Sequence, residues 1–271
     1  MNHVFQYRLA SSFQDAVAGL AELGADARIL AGGTDLLVNI RAGLMAPTHV
    51  IDIKAVPGID TLTYTPETGL SIGAAVTVNA LMENDAVQAH YPLLVQCAHQ
   101  LASHQVRNRA TVVGNIVNAS PCADLAPPLL CLDAAIEIQS ADGARQVSCR
   151  EFFVAAKQTV LRPGELVSRI LVPAETADGQ GGYKKLKRIQ GHDLGIVGVA
   201  LWRQRDRVRV AVSSAAPTPV YVGEFAADEP LASVQEALSA AINPIDDVRC
   251  TRDYRLFMAG VYLRRLWQEV V

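Results

Sequence analysis

Two glycine-bearing segments constrain this chain more than any other feature of its sequence. The first is Leu30-Ala31-Gly32-Gly33-Thr34-Asp35-Leu36. The second runs from Thr111-Val112-Val113-Gly114-Asn115 to Asn118-Ala119-Ser120-Pro121-Cys122-Ala123-Asp124. Each combines glycine with short hydroxyl or amide side chains and a carboxylate. Glycine lets main-chain N–H groups come close to an anion, because no Cβ intervenes. Such a pair suits a pyrophosphate and a polyol chain held with little positive charge, as in a dinucleotide lying between two lobes.

Plainer readings stand beside this one. Gly-Gly and Thr-Asp are ordinary turn and N-cap residues, so the first segment also reads as a strand-to-helix turn. Neither the G-x-G-x-x-G fingerprint nor a G-K-[ST] phosphate loop occurs anywhere in the chain. In the second segment Thr111, Gly114, Asn115, Asn118, Ser120 and Asp124 sit among apolar neighbours. Buried polar groups cost about 1–3 kcal/mol each when unpaired. The run therefore either closes a hydrogen-bonded turn or faces a polar ligand.

The 271 residues are half apolar and 19% charged, enough for a substantial core in one large domain or several small ones. The longest uncharged apolar run, Leu194 to Trp202, is far short of the roughly twenty residues of a membrane span. No basic-then-apolar leader opens the sequence, and a cytoplasmic protein is expected. Net charge is −3 with dispersed basic residues, which argues against nucleic acid as a partner. Five scattered cysteines without a C-x-x-C pair read as reduced, mostly buried thiols, with Cys122 a small buried hydrophobe. His99 and His104 are five apart, unlike the i,i+4 pair of a zinc helix, and His192 beside Asp193 reads as a turn. No metal is expected in this chain.

Ser12-Phe13-Gln14-Asp15 resembles a capping box, followed by Ala16, Val17, Leu20 and Leu23 at helical spacing and Gly24 as a stop. Strands are expected at Ala27–Leu30, Thr48–Ile53 and Leu70–Ala75. Helices are expected from Thr77 to Asn84 and from Pro92 to Leu101. Pro127-Pro128 forbids a long regular helix at the start of Asp124–Leu132. Ala134–Gln139 and Ala144–Ser148 flank Asp142-Gly143, a hairpin signal. Leu166–Val172 reads as a strand. The segment Glu175 to Gly182 is the most linker-like stretch and marks a domain boundary. Beyond it lie β-rich runs at Tyr183–Arg188, Leu194–Trp202 and Val208–Ser213. Helices follow over Leu231–Ile242 and Thr251–Val270, the last with Tyr254, Phe257, Val261 and Leu266 as its apolar face.

The pattern A-G-G-T-D-L-L, then T-V-V-G-N-I-V-N-A-S-P-x-A-D-L-A-P, closely resembles the FAD-binding medium subunit of molybdenum-containing hydroxylases. That family includes subunits or domains of xanthine dehydrogenase, carbon monoxide dehydrogenase, nicotinate dehydrogenase and 4-hydroxybenzoyl-CoA reductase. Three further stretches agree in order: Arg162-Pro163-Gly164-Glu165-Leu166-Val167, Tyr183-x-Lys185 followed by Asp193-Leu194, and Asp253-Tyr254-Arg255. The similarity spans essentially the whole chain.

The resemblance implies an α+β chain with a vanillyl-alcohol oxidase-type (PCMH-type) FAD-binding fold. Its FAD domain would cover residues 1–174, as subdomains of about 1–56 and 57–174. A small α+β C-terminal domain would cover 175–271. It implies a first cradle of Leu30, Ala31, Gly32, Gly33, Thr34, Asp35 and Leu36, and a second of Thr111, Gly114, Asn115, Ser120 and Asp124. Leu166 or Val167 would pack near the flavin, though both also read as strand core. Lys185 would approach the pyrimidine side of the ring, where a cation stabilises the reduced flavin; beside Lys184, Lys187 and Arg188 it also reads as part of a solvated basic strand.

No histidine or cysteine flanks the first cradle, so the FAD would be non-covalent. The reductase's extra cluster insertion is missing, only Cys122 and Cys131 lying between Ser120 and Ala134, so no iron–sulfur cluster is expected here. The resemblance further implies a small subunit with [2Fe–2S] clusters and a large subunit with a molybdopterin cofactor, assembled as a dimer of heterotrimers. Electrons would leave the FAD to NAD, a quinone or oxygen. The alternatives are a stand-alone FAD-dependent oxidase or dehydrogenase acting on a small alcohol or amine, and a scaffold that has lost its cofactor.

Overall fold

Among the described residues, three larger sheets and one two-stranded ribbon are joined by helices into two packed cores. The computed structural model describes residues 3–189, 191 and 193–271; His192 lies outside them. The first sheet holds β1 (Gln6–Leu9), β2 (Ala27–Leu30) and β3 (His49–Asp52), in the order β1-β3-β2 and all parallel. Its crossover helix, Phe13–Leu23, is capped by Ser12, whose Oγ accepts from the Asp15 N–H at 3.0 Å. The Asp15 carboxylate reaches back one residue further than a capping box requires, to the Ser11 N–H at 2.9 Å.

The second sheet runs β4 (Leu62–Thr65), β5 (Gly69–Gly73), β10 (Leu166–Val172), β6 (Ala135–Ser140) and β7 (Gly143–Ser148), antiparallel throughout. The hairpin expected at Asp142-Gly143 is present, with Ala141-Asp142 as its two turn residues and Gly143, paired with Ser140, opening β7. A small ribbon of β8 (Phe153–Ala155) and β9 (Gln158–Thr159) follows β7.

The last sheet, β11 (Gln180–Leu186), β12 (Val197–Gln204), β13 (Arg207–Ser213) and β14 (Val220–Ala226), is antiparallel in sequence order. Alternating residues of a strand face opposite sides. Val197, Val199 and Leu201 accordingly pack with the helices Leu231–Ala241 and Arg252–Val270, while Ala200 and Trp202 join the other core. Burial on both faces explains why β12 reads as a continuous apolar run.

Two expectations need correction. The linker-like glycines do not form a flexible connector, because Gln180-Gly181-Gly182 open β11. A Cβ at Gly181 would stand 2.6 Å from the Trp202 ring, so its bareness admits a buried indole. The inward face of the terminal helix also agrees with the expected one only at Leu266. Arg255, Ala259, Leu263 and Leu266 are buried, whereas Tyr254 and Phe257 are 46% and 64% exposed. A charged residue can face inward here because Arg255 Nη1 donates to the carbonyls of Ile196 and Ser214 and Nη2 lies 2.6 Å from Asp247 Oδ1.

Candidate functional site

β2 ends at Leu30, and the helix Leu36–Arg41 begins six residues later. The turn between them leaves its main chain open. Among the described residues, the N–H groups of Gly32, Gly33, Thr34 and Asp35 donate to no protein acceptor. Gly33 has φ +73°, in the left-handed region that glycine enters freely. Thr34 and Asp35 are exposed, and Ala31 and Leu36 half-buried.

Gly32 joins the two segments. A Cβ there would overlap the Arg109 carbonyl oxygen and stand 3.0 Å from Ala110 Cα. Residues 77 positions apart in sequence therefore abut through bare backbone, just before Thr111. The second segment is pinned from behind: the Val78 N–H donates to Ala110 O at 2.9 Å and the Val112 N–H to Val76 O at 3.0 Å. Asn79, 3% exposed, stiffens the same corner. Its Nδ2 lies 2.6 Å from Asn108 Oδ1 and 3.1 Å from both His104 Nδ1 and the His104 carbonyl, and its Oδ1 accepts from Arg107 Nε.

The second segment is not an open loop. Thr111 caps the helix Val112–Val117, its Oγ1 accepting from the Gly114 N–H at 3.0 Å. Asn115 Oδ1 accepts from the Leu125 N–H at 3.3 Å, and Ser120 Oγ from the Cys122 N–H at 3.2 Å. These polar side chains close a helix and the turns that follow it. Gly114 is exposed on the helix surface.

Asp124 and Lys185 meet in the interior. Lys185 Nζ donates to Asp124 Oδ2 at 2.8 Å and to Gln100 O at 3.2 Å, and the two side chains are 2% and 8% exposed. Tyr183 OH donates to Asp124 Oδ1 at 3.0 Å. Burial pushes the Asp124 carboxyl above its ordinary value against the pull of Lys185. Burial, then the Asp124 charge, holds the Tyr183 phenol far above its own. The reading of this stretch as a solvated basic strand does not hold for Lys185. Its neighbour Lys184 is paired too, with Glu269 at 2.8 Å.

Leu166 and Val167 are 4% and 5% exposed in β10, opposite Gln139 and Ile138 of β6. Cys122 is not a fully buried hydrophobe: it is half-buried, with Sγ 3.7 Å from Gly195 O and 3.6 Å from Arg249 Nη1. Asn79 and the partnering role of Tyr183 escaped the sequence reading. The signal for Tyr183 was present, since it stands two residues before Lys185 on the same face of a strand.

Free main-chain N–H groups on an exposed turn, braced by a second segment, are a donor set that fits a pyrophosphate. Comparison with known proteins agrees. Residues 3–175 match the family described as the FAD binding domain in molybdopterin dehydrogenase, and residues 181–270 match the CO dehydrogenase flavoprotein C-terminal domain. The carbon monoxide dehydrogenase medium chain of Afipia carboxidovorans is 34% identical over 96% of this chain and 94% of its own length. The xanthine dehydrogenase FAD-binding subunit of Escherichia coli O157:H7 is 29% identical over 98% and 95%. Among solved structures, carbon monoxide dehydrogenase from Hydrogenophaga pseudoflava superposes with a TM-score of 0.92 at 31% identity, covering 100% of this chain and 98% of that one. The chain thus belongs to the FAD-binding flavoprotein family of the molybdopterin dehydrogenases.

Proposed function

We propose that this chain is the electron-transfer subunit of a molybdenum hydroxylase complex. It would receive electrons from [2Fe–2S] clusters on a small partner subunit and deliver them to NAD, a quinone or oxygen. A large partner would carry the molybdopterin cofactor, and the assembly would be a cytoplasmic dimer of heterotrimers. Bound FAD would supply the chemistry, since a flavin can take up and release electrons singly or in pairs. Residues 1–174 would form the FAD domain and 175–271 the C-terminal domain.

The protein's own contribution is placement. The open amides of Gly32, Gly33, Thr34 and Asp35 bind the pyrophosphate, with Leu30, Ala31 and Leu36 shaping the turn. Thr111, Gly114, Asn115 and Ser120 build the facing wall. Asp124 fixes the Lys185 ammonium and with it the charge beside the flavin. Leu166 and Val167 exclude water from the ring. The observation that carries this reading is the backbone abutment of Gly32 on Arg109, which brings two segments distant in sequence into one cradle. Isolation of the native complex tests it. Flavin absorbance together with stoichiometric molybdenum and iron in the co-purifying subunits is expected. FAD alone with intrinsic alcohol or amine turnover would overturn it.

A further inference from the structure

The two cradle segments contain no lysine or arginine of their own between Leu30 and Leu36 or between Thr111 and Asp124. A pyrophosphate held only by amides would keep its charge uncompensated. A cation does stand where the two segments meet, and it comes from a third element, the turn between β8 and β9. Lys157 Nζ lies 2.8 Å from Asn118 Oδ1 of the second segment and 3.8 Å from Asp35 Oδ2 of the first. Its N–H donates to the Ala119 carbonyl at 2.8 Å, which docks the turn onto the second segment.

The backbone makes the residue choice informative. Lys157 has φ +63°, a conformation that glycine or asparagine adopts more easily than lysine. A lysine placed at such a strained position points to a use for its side chain. Its pairing with Asp35 does not supply one: both are about half exposed, at 54% and 51%, and such surface pairs contribute little to stability. Lys54 Nζ sits 2.5 Å from the buried Asp52 carboxylate and donates to the Ala31 carbonyl of the first segment at 3.3 Å; among the described residues it makes no bond to the second segment, whereas Lys157 reaches both. We propose that Lys157 is a further ligand of the dinucleotide, the cation shared by both segments that compensates the pyrophosphate charge. This rests on the reading of those segments as the FAD cradle.

The test is equilibrium binding of FAD to the flavin-stripped full chain, followed by flavin fluorescence at low and high salt. Lys157→Met is expected to weaken binding about tenfold, the scale of one charge-assisted hydrogen bond lost at a partly exposed site. It should also flatten the salt dependence, while Lys157→Arg restores both. The melting temperature of the flavin-free protein should not move, since the side chain is half exposed. Wild-type affinity in Lys157→Met would overturn the proposal, as would a loss that salt does not modulate. So would full recovery in Lys157→Met with Asp35→Asn, which would reduce the lysine to a counter-ion of Asp35. A wild-type chain that binds no FAD would instead defeat the cradle itself.

Discussion

The Lys185 ammonium and the Asp124 carboxylate face each other at 2.8 Å with almost no access to solvent. Removing one member of such a pair strands the other. Lys185→Met should therefore destabilise the protein by about 3–5 kcal/mol, the usual penalty for an uncompensated buried charge. Replacing both, as Lys185→Met with Asp124→Leu, should recover most of that loss. Urea denaturation of the three proteins decides it. Equal destabilisation by the single and double variants would show that the pair is not the source.

Gly32→Ala places a methyl group on the Arg109 carbonyl, a backbone atom that cannot swing aside. The first segment must back away from the second. A cost of about 1–3 kcal/mol is expected, in the range of other overpacked positions. Flavin content should fall with it, because the amides of Gly32–Asp35 would no longer be braced. Absorbance of the purified variant measures this. A variant that keeps its full flavin complement would show that the abutment does not govern binding.

Much of this architecture is legible in the residues. Ala27–Leu30 and Leu166–Val172 form strands with the ends their composition suggests, and Thr77 caps the helix that begins at Val78. What was not legible depended on partners remote in sequence. Phe257 suits an apolar stripe by spacing alone, yet Arg255 takes the inward position because Asp247 neutralises it. Thr111, Asn115 and Ser120 have the composition of a ligand-binding run, but the N–H groups that occupy them belong to Gly114, Leu125 and Cys122. Composition identifies hydrogen-bonding capacity; only the fold decides where that capacity is used.

Asn79 illustrates the point from a different side. A lone asparagine in an apolar helix gives no warning that it ties together His104, Arg107 and Asn108. Asn79→Leu preserves approximate volume and leaves several of those groups without partners in a buried corner. It should cost at least about 1–3 kcal/mol. Because that corner carries Arg109, FAD affinity should weaken as well. A flavin titration and a thermal melt test the two effects separately, and unchanged values in both would remove Asn79 from the account.

Acid should release the C-terminal helix through Asp247. Partial burial raises the pKa of that carboxyl, but the hydrogen bonds from Arg249 and the charges of Arg249 and Arg255 outweigh it and hold the pKa well below the usual carboxylate range. A carboxyl depressed in the folded state binds fewer protons there than in the unfolded chain. Its stabilisation is fully present above the ordinary carboxylate pKa of about 4 and declines as pH falls through the folded value. Asp247→Asn lacks that titration and also leaves Arg255 buried without its counter-ion. The variant should be markedly less stable than wild type at about pH 7, and the gap should narrow on descending to about pH 3. Urea midpoints across that range provide the measurement. A gap that stays constant with pH would mean that Asp247 does not hold the helix by its charge.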